Sequence, residues 1–92
     1  MKHAGAHTLE RLADLLEKLR RRPVLREKSP GSFYLKSTAF LHFHEDSAGI
    51  FADVKLDHRD YSRHRVSTFK ERAELLKKID LSLESGRRDR GD

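Results

Sequence analysis

His42 and His44 stand one residue apart in FLHFHEDSAGIFADVKL, residues 40–56, with Glu45, Asp46, Asp53 and Asp57 close by in the chain. Imidazoles suit zinc, nickel and copper, and a carboxylate can serve as a further ligand. A histidine beside an aspartate is also the base-and-orienter half of a general-base unit. The plain alternative is structural. On a strand, His-x-His is one polar face, and a cross-strand His–Asp contact contributes about 0.2–1 kcal/mol. The position of Asp53 relative to the two imidazoles decides which chemistry is available.

That position follows from a register. Asp46-Ser47-Ala48-Gly49 has the composition of a turn between two alternating runs, which predicts a β-hairpin. Slipping one strand by one residue exchanges its two faces, so a buried face fixes the pairing. Pairing Asp46 with Gly49 sets Glu45 opposite Ile50, His44 opposite Phe51, Phe43 opposite Ala52, His42 opposite Asp53, Leu41 opposite Val54 and Phe40 opposite Lys55. One face then carries Leu41, Phe43, Ala52, Val54 and Leu56 as a core. The other carries Phe40, His42, His44, Phe51, Asp53 and Lys55, the candidate binding face. His42, His44 and Asp53 are the candidate metal ligands on that face, with Glu45, Asp57 or His64 as further donors.

The rest of the chain must hold this hairpin. Thr8 is an expected N-cap for a first helix whose Leu9, Leu12, Leu16 and Leu19 form one stripe, widened by Ala13 and Leu15. Arg20, Arg21 and Arg22 suit its C-terminal end, and Pro23 stops it. Val24–Glu27 reads as a possible short strand, Pro30-Gly31 as a turn, and Phe33–Leu35 as strand again. A further strand is expected around Tyr61–Val66. Thr68 and Glu71 have capping-box spacing, and Phe69, Ala73, Leu75, Leu76 and Ile79 are the expected buried positions of a second helix. Residues 79–84 fit either a strand or a continued helix. The expected architecture is a two-layer α+β domain: an antiparallel sheet of about three strands, flanked by an N-terminal and a C-terminal helix. Residues 1–7 are expected as a loose tail, 8–84 as the single domain, and 85–92 as a charged, disordered end.

Composition narrows the function classes. The 92-residue chain has no cysteine, which removes disulfides, thiolate metal sites and cysteine nucleophiles. The opening MKHAGAH lacks the apolar run of a secretory signal, and no stretch approaches about 20 apolar residues. A soluble cytoplasmic protein is expected. Charged residues make up 38%, and the formal net charge is +5. Basic residues at 20–22, 59, 63, 65, 87, 88 and 90, with Phe40 and Phe51 on a sheet face, make nucleic acid a possible partner. No RNP-type motif supports that reading. Ser47, Ser62 and Ser67 lack an elbow motif, and there is no glycine-rich phosphate loop, so a hydrolase or transferase has no visible nucleophile or phosphate cradle. A modest core and two exposed phenylalanines favour a homodimer.

FLHFHEDSAGIFADVKL, with PGSFYLKS before it and HRVSTFKERAELLKKI after it, resembles a group of short uncharacterised bacterial proteins. In that group FLHFHED, G-(hydrophobic)-(aromatic)-A-D-V-(basic)-L and V-(S/T)-T recur. The similarity runs from Val24 to Ile79. It implies a shared fold unit and a bacterial origin, and it transfers no activity, cofactor or site residue. On the residues alone, the expected function is a small binding or interaction module that works through the His42/His44/Asp53 face, with no cofactor beyond a divalent metal. The alternatives are a metal- or histidine-dependent enzyme and a basic nucleic-acid-binding domain.

Overall fold

The computed structural model describes residues 2–91, with side chains as far as residue 85. Its elements in chain order are β1 (Lys2–His3), α1 (Ala6–Arg11), α2 (Ala13–Arg20), β2 (Leu25–Ser29), β3 (Ser32–Leu35), β4 (Thr38–Asp46), β5 (Gly49–Val54), β6 (Ser62–Arg65) and α3 (Phe69–Gly91). The fold is α+β, with helices at both ends. The sheet has six strands, not about three, in the order β2-β3-β4-β5-β6, with β1 also paired to β4. The difference lies in the short segments. Val24–Glu27 and Phe33–Leu35 are too brief to stand alone, but each gains a partner once β4 supplies an edge.

The β4–β5 register is the one the core pattern requires. Leu41 opposes Val54, His42 opposes Asp53, Phe43 opposes Ala52, His44 opposes Phe51, Glu45 opposes Ile50 and Asp46 opposes Gly49. In the turn, Ala48 N–H donates to Asp46 Oδ1 at 2.7 Å, the local bond that makes Asp a turn residue. Gly49 has φ +138°, and a Cβ there would come within 2.5 Å of Ser67 Oγ. That hydroxyl accepts the Ile50 N–H at 2.9 Å.

All three helices cover one face of the sheet. Leu12, Leu15, Leu16 and Leu19 from the first pair, and Leu75, Leu76 and Ile79 from α3, join Phe33, Leu41, Phe43, Ala52 and Val54 in one core. The opposite face is left open, as antiparallel sheets allow.

Several sequence expectations change. Thr8 is not an N-cap. Gly5 occupies that position, and Thr8 lies buried inside α1. Its hydroxyl donates to Glu45, which also accepts the Gly5 N–H at 3.1 Å. The helix is thus capped by a carboxylate from the sheet. Residues 2–3, expected in a loose tail, pair with Glu45 and His44. The Thr68/Glu71 capping box is present in both directions, at 3.1 and 3.0 Å. Phe69, expected to be buried, is 76% exposed. Ala73 is exposed as well, and Arg72 takes the buried place. The α3 stripe therefore runs through Arg72, Leu75, Leu76, Ile79 and Ser82, which carries residues 79–84 forward as helix. The expectation for the charged end, 85–92, falls almost wholly on residues whose side chains lie outside the described set.

Candidate metal centre on the open sheet face

The open face is a small grid. Strand alternation puts His42 and His44 of β4 on the same side. In the adjoining rows, His42 opposes Asp53, which opposes Arg63, and His44 opposes Phe51, which opposes Arg65. At the other edge, β1 sets His3 beside His44.

Asp53 lies at the centre and is 7% exposed. Arg63 binds it as a fork, with Nε to Oδ1 and Nη2 to Oδ2, both at 2.8 Å. The hydrogen bonds from Arg63 hold the Asp53 carboxyl below its usual range, against the opposing effect of burial. The same Oδ2 stands 3.1 Å from His44 Nε2 and 3.5 Å from His42 Nε2. Distance alone would make the closer pair a hydrogen bond. The direction is wrong for one, and His44 Nε2 is a buried nitrogen without a hydrogen-bond partner. Burial lowers the His42 pKa, as does the nearby His44, and together they outweigh the charge and hydrogen bond of Asp53, which raise it. One ligand atom from each of His42, His44 and Asp53 falls within 4.8 Å of the others.

Around these three sit aromatic rings. His3 lies 4.7 Å from His44, between ring centroids, and Tyr61 lies 4.7 Å from His42 in an edge-on arrangement. His42 and His44 are themselves 4.7 Å apart, nearly perpendicular at 75°.

The other members of the expected face are elsewhere. Phe40 is a core residue, 2% exposed. The β3–β4 register jumps from Phe33↔Leu41 to Tyr34↔Ala39, which leaves Phe40 as the extra residue of a bulge. A bulge sets two residues against one and re-aims the side chains, and here Phe40 and Leu41 are both buried. Phe51 stays on the open face but is half-buried, in register with His44 and Arg65. Lys55 places Nζ 4.9 Å from the Tyr61 ring centroid and forms no ion pair with Asp53.

His64 and Glu45 do not join the site. His64 pairs with Ala52 on the helix side of the sheet, and Glu45 is occupied at α1. Asp57 instead accepts the Arg59 and Asp60 N–H groups in a loop.

Three residues of the site were not visible in the sequence: His3, Tyr61 and Arg63. Arg63 was the most accessible, since any strand over 61–66 paired to β5 with Asp53 opposite it would have named it. His3 had no signal, because two residues of strand have no periodicity.

Several of the basic residues are matched by carboxylates. Arg20 binds Glu27, Arg21 binds Glu17, Arg22 binds Asp80, Arg65 binds Glu71 and Arg72 binds Asp14. The side chains of Arg87, Arg88 and Arg90 lie outside the described residues. No helix among the described residues is long and apolar enough to cross a membrane.

No family model matches this chain, and the searches found no similar curated protein and no similar solved structure.

Proposed function

We propose that this chain is a small binding module whose ligand is a divalent transition metal, held on the open sheet face by His42, His44 and Asp53. One observation carries the reading: the buried Nε2 of His44 has no hydrogen-bond partner yet stands 3.1 Å from Asp53 Oδ2. A buried polar atom left unpaired is costly, and in a folded protein it calls for an explanation. A metal supplies one. Ligands about 2.0–2.1 Å from a tetrahedral zinc lie about 3.3 Å from each other. The two Nε2-to-Oδ2 separations, 3.1 and 3.5 Å, bracket that edge. For His44 a hydrogen bond would instead require alignment, and it is missing.

Arg63 is the obvious objection, because its charge opposes a cation at Asp53. The carboxylate has capacity for both. Its two oxygens offer about four acceptor directions, and Arg63 uses one on each. Metal-bound carboxylates are ordinarily held by such outer partners, which fix their orientation. Arg63 would then weaken binding while making it selective for a softer, imidazole-preferring ion over magnesium or calcium, which favour oxygen donors. Three protein ligands leave a fourth tetrahedral position for water or for a partner's donor group.

The geometry gives the enzyme reading a Ser62 Oγ–His64 Nε2 contact at 2.8 Å, but among the described residues no hydrogen bond to a carboxylate orients that imidazole, as a general-base unit requires. Of the grounds for a homodimer, the modest core remains, while the two phenylalanines count for less, Phe40 being buried and Phe51 half-buried. The nucleic-acid case rested mostly on net charge, and of the residues behind it Arg20, Arg21, Arg22, Arg63 and Arg65 each face a carboxylate.

Isothermal calorimetry with Zn²⁺ and Ni²⁺ tests the proposal. The expected result is one ion per chain, at least about tenfold weaker in both His42→Ala and His44→Ala and unchanged in His64→Ala. Binding that survives both site substitutions would overturn it.

A further inference from the structure

A second concave region lies away from the histidines. Pro23 and Val24, the β3–β4 turn, the start of β4, the loop after β5 and Leu83 of α3 enclose a cleft of about 700 Å³. That volume lies within the range of small-molecule sites, about 300–1,000 Å³. Its base is apolar, formed by Val24, Leu35, Ala39, Phe40 and Leu83. Val24 is 43% exposed, a large apolar side chain left open to solvent at this place.

Its polar side carries positive charge. Arg26, Lys36 and Lys55 line it, with His58, Ser37 and Thr38 beside them, and no aspartate or glutamate does. Elsewhere Arg20, Arg21, Arg22, Arg63, Arg65 and Arg72 each face a carboxylate. Among the described residues, no carboxylate forms an ion pair with Arg26, Lys36 or Lys55. The Pro30-Gly31 turn and the hairpin tip show no comparable gathering of unmatched charge.

The backbone gives an independent sign. Lys36 has φ 61° and His58 has φ 64°, the two positive-φ non-glycine residues among those described, and both line this cleft. Lys36 begins the two-residue connection between β3 and β4, a position where Gly, Asn or Asp normally takes positive φ. His58 follows Asp57, and its Nε2 contacts Ser82 O at 3.0 Å. Residues held in sparsely populated backbone regions cluster at functional sites. A lysine kept where glycine would be easier points to a use for its charge.

We propose that this cleft binds a single-chain amphiphile with an anionic carboxylate head, its alkyl tail on Val24, Leu35 and Leu83 and its head on Lys36 and Lys55. The apolar base without the cations would suit a neutral lipid or alcohol; the unmatched cations select the acid. The site is separate from the metal centre, and each can fail without the other.

Decanoate is the probe, with 1-decanol as its neutral match, in an amide chemical-shift titration of the full chain. Saturable shifts are expected at the Ala39, Phe40 and Lys55 amides with decanoate. Decanol is expected to bind at least about tenfold more weakly, a difference of about 1.4 kcal/mol. Lys36→Gly removes a charge and a strained backbone together. It should raise the melting temperature. Combined with Lys55→Gln, it should cost decanoate about tenfold in affinity. Absence of saturable shifts, equal binding of decanol, or undiminished decanoate binding by the double variant would each overturn the proposal.

Discussion

Asp53 sits between two kinds of partner. On one side Arg63 donates two hydrogen bonds. On the other, two imidazole nitrogens lie close, and that of His44 makes no hydrogen bond. Removing the fork should separate the two roles. Arg63→Met leaves a nearly buried carboxylate without its donors, which should destabilise the fold and lower the urea midpoint. The same change removes the competing positive charge and should tighten zinc binding. Urea unfolding and calorimetry on one sample would check both signs. A variant that loses stability and zinc together would show that the fork only builds the site.

Protonation gives a second test at this scale. The His42 pKa is lowered, first by burial and then by His44, and His64 is lowered first by burial. An imidazole with a lower pKa in the folded chain takes up its proton more readily when unfolded. Its contribution to stability is therefore complete above about pH 6.5 and is lost as pH falls through the folded value. Asp53 is lowered too, by Arg63. Its contribution is present above about pH 3.9 and is lost further down. The urea midpoint should fall in two stages as pH drops from 7 to 3, and His42→Gln should shrink the first stage. A midpoint that rises between pH 7 and 5 would contradict this assignment.

Two phenylalanines separate what can be read along a strand or helix from what cannot. Phe40→Ala should cost about 3–5 kcal/mol, because it empties a core position. Phe69→Ala should stay within about 0.5 kcal/mol, because that ring is mostly in solvent. Thermal denaturation of the two variants would show the contrast, which is the reverse of what the sequence pattern implies. Strict alternation placed Phe40 on the polar face, and helical spacing placed Phe69 in the core. Each rule failed for a local reason. A bulge in β4 breaks the alternation at Phe40. The capping box puts Phe69 at the first position of α3, beyond the sheet, with Arg72 stacked 5.3 Å from its ring. Where a repeating pattern had a buried face to fix it, the reading held. Six β4–β5 pairs follow from the requirement that Leu41, Phe43, Ala52 and Val54 be buried together. That requirement also brought His42, His44 and Asp53 to one face. Strands of four or five residues gave too few alternations to be counted, and β1, with two, gave none.

At the scale of the whole molecule, the helices take one face of the sheet and leave the other for chemistry. A chain of this size buries only about 60–65% of its unfolded surface, so one layer of helix is what it can provide. The open face then has to be stable in water, and it achieves this with the Arg63–Asp53 pair and the half-buried Phe51. The exposed edge strand β6 is short and carries Arg63 and Arg65, features that discourage edge-to-edge pairing. A bound ion would also act on the whole fold. At a free zinc concentration one hundred times the dissociation constant, stability should rise by about 2.7 kcal/mol.

The most direct test of the central claim is a proton–nitrogen NMR titration of the six histidine imidazoles with Zn²⁺. Metal held by His42, His44 and Asp53 predicts large nitrogen shifts at His42 and His44 that are complete at one equivalent, while His7, His58 and His64 stay in place. Weak, unsaturated shifts spread over all six histidines would contradict it and leave His42 and His44 as the polar side of a hairpin.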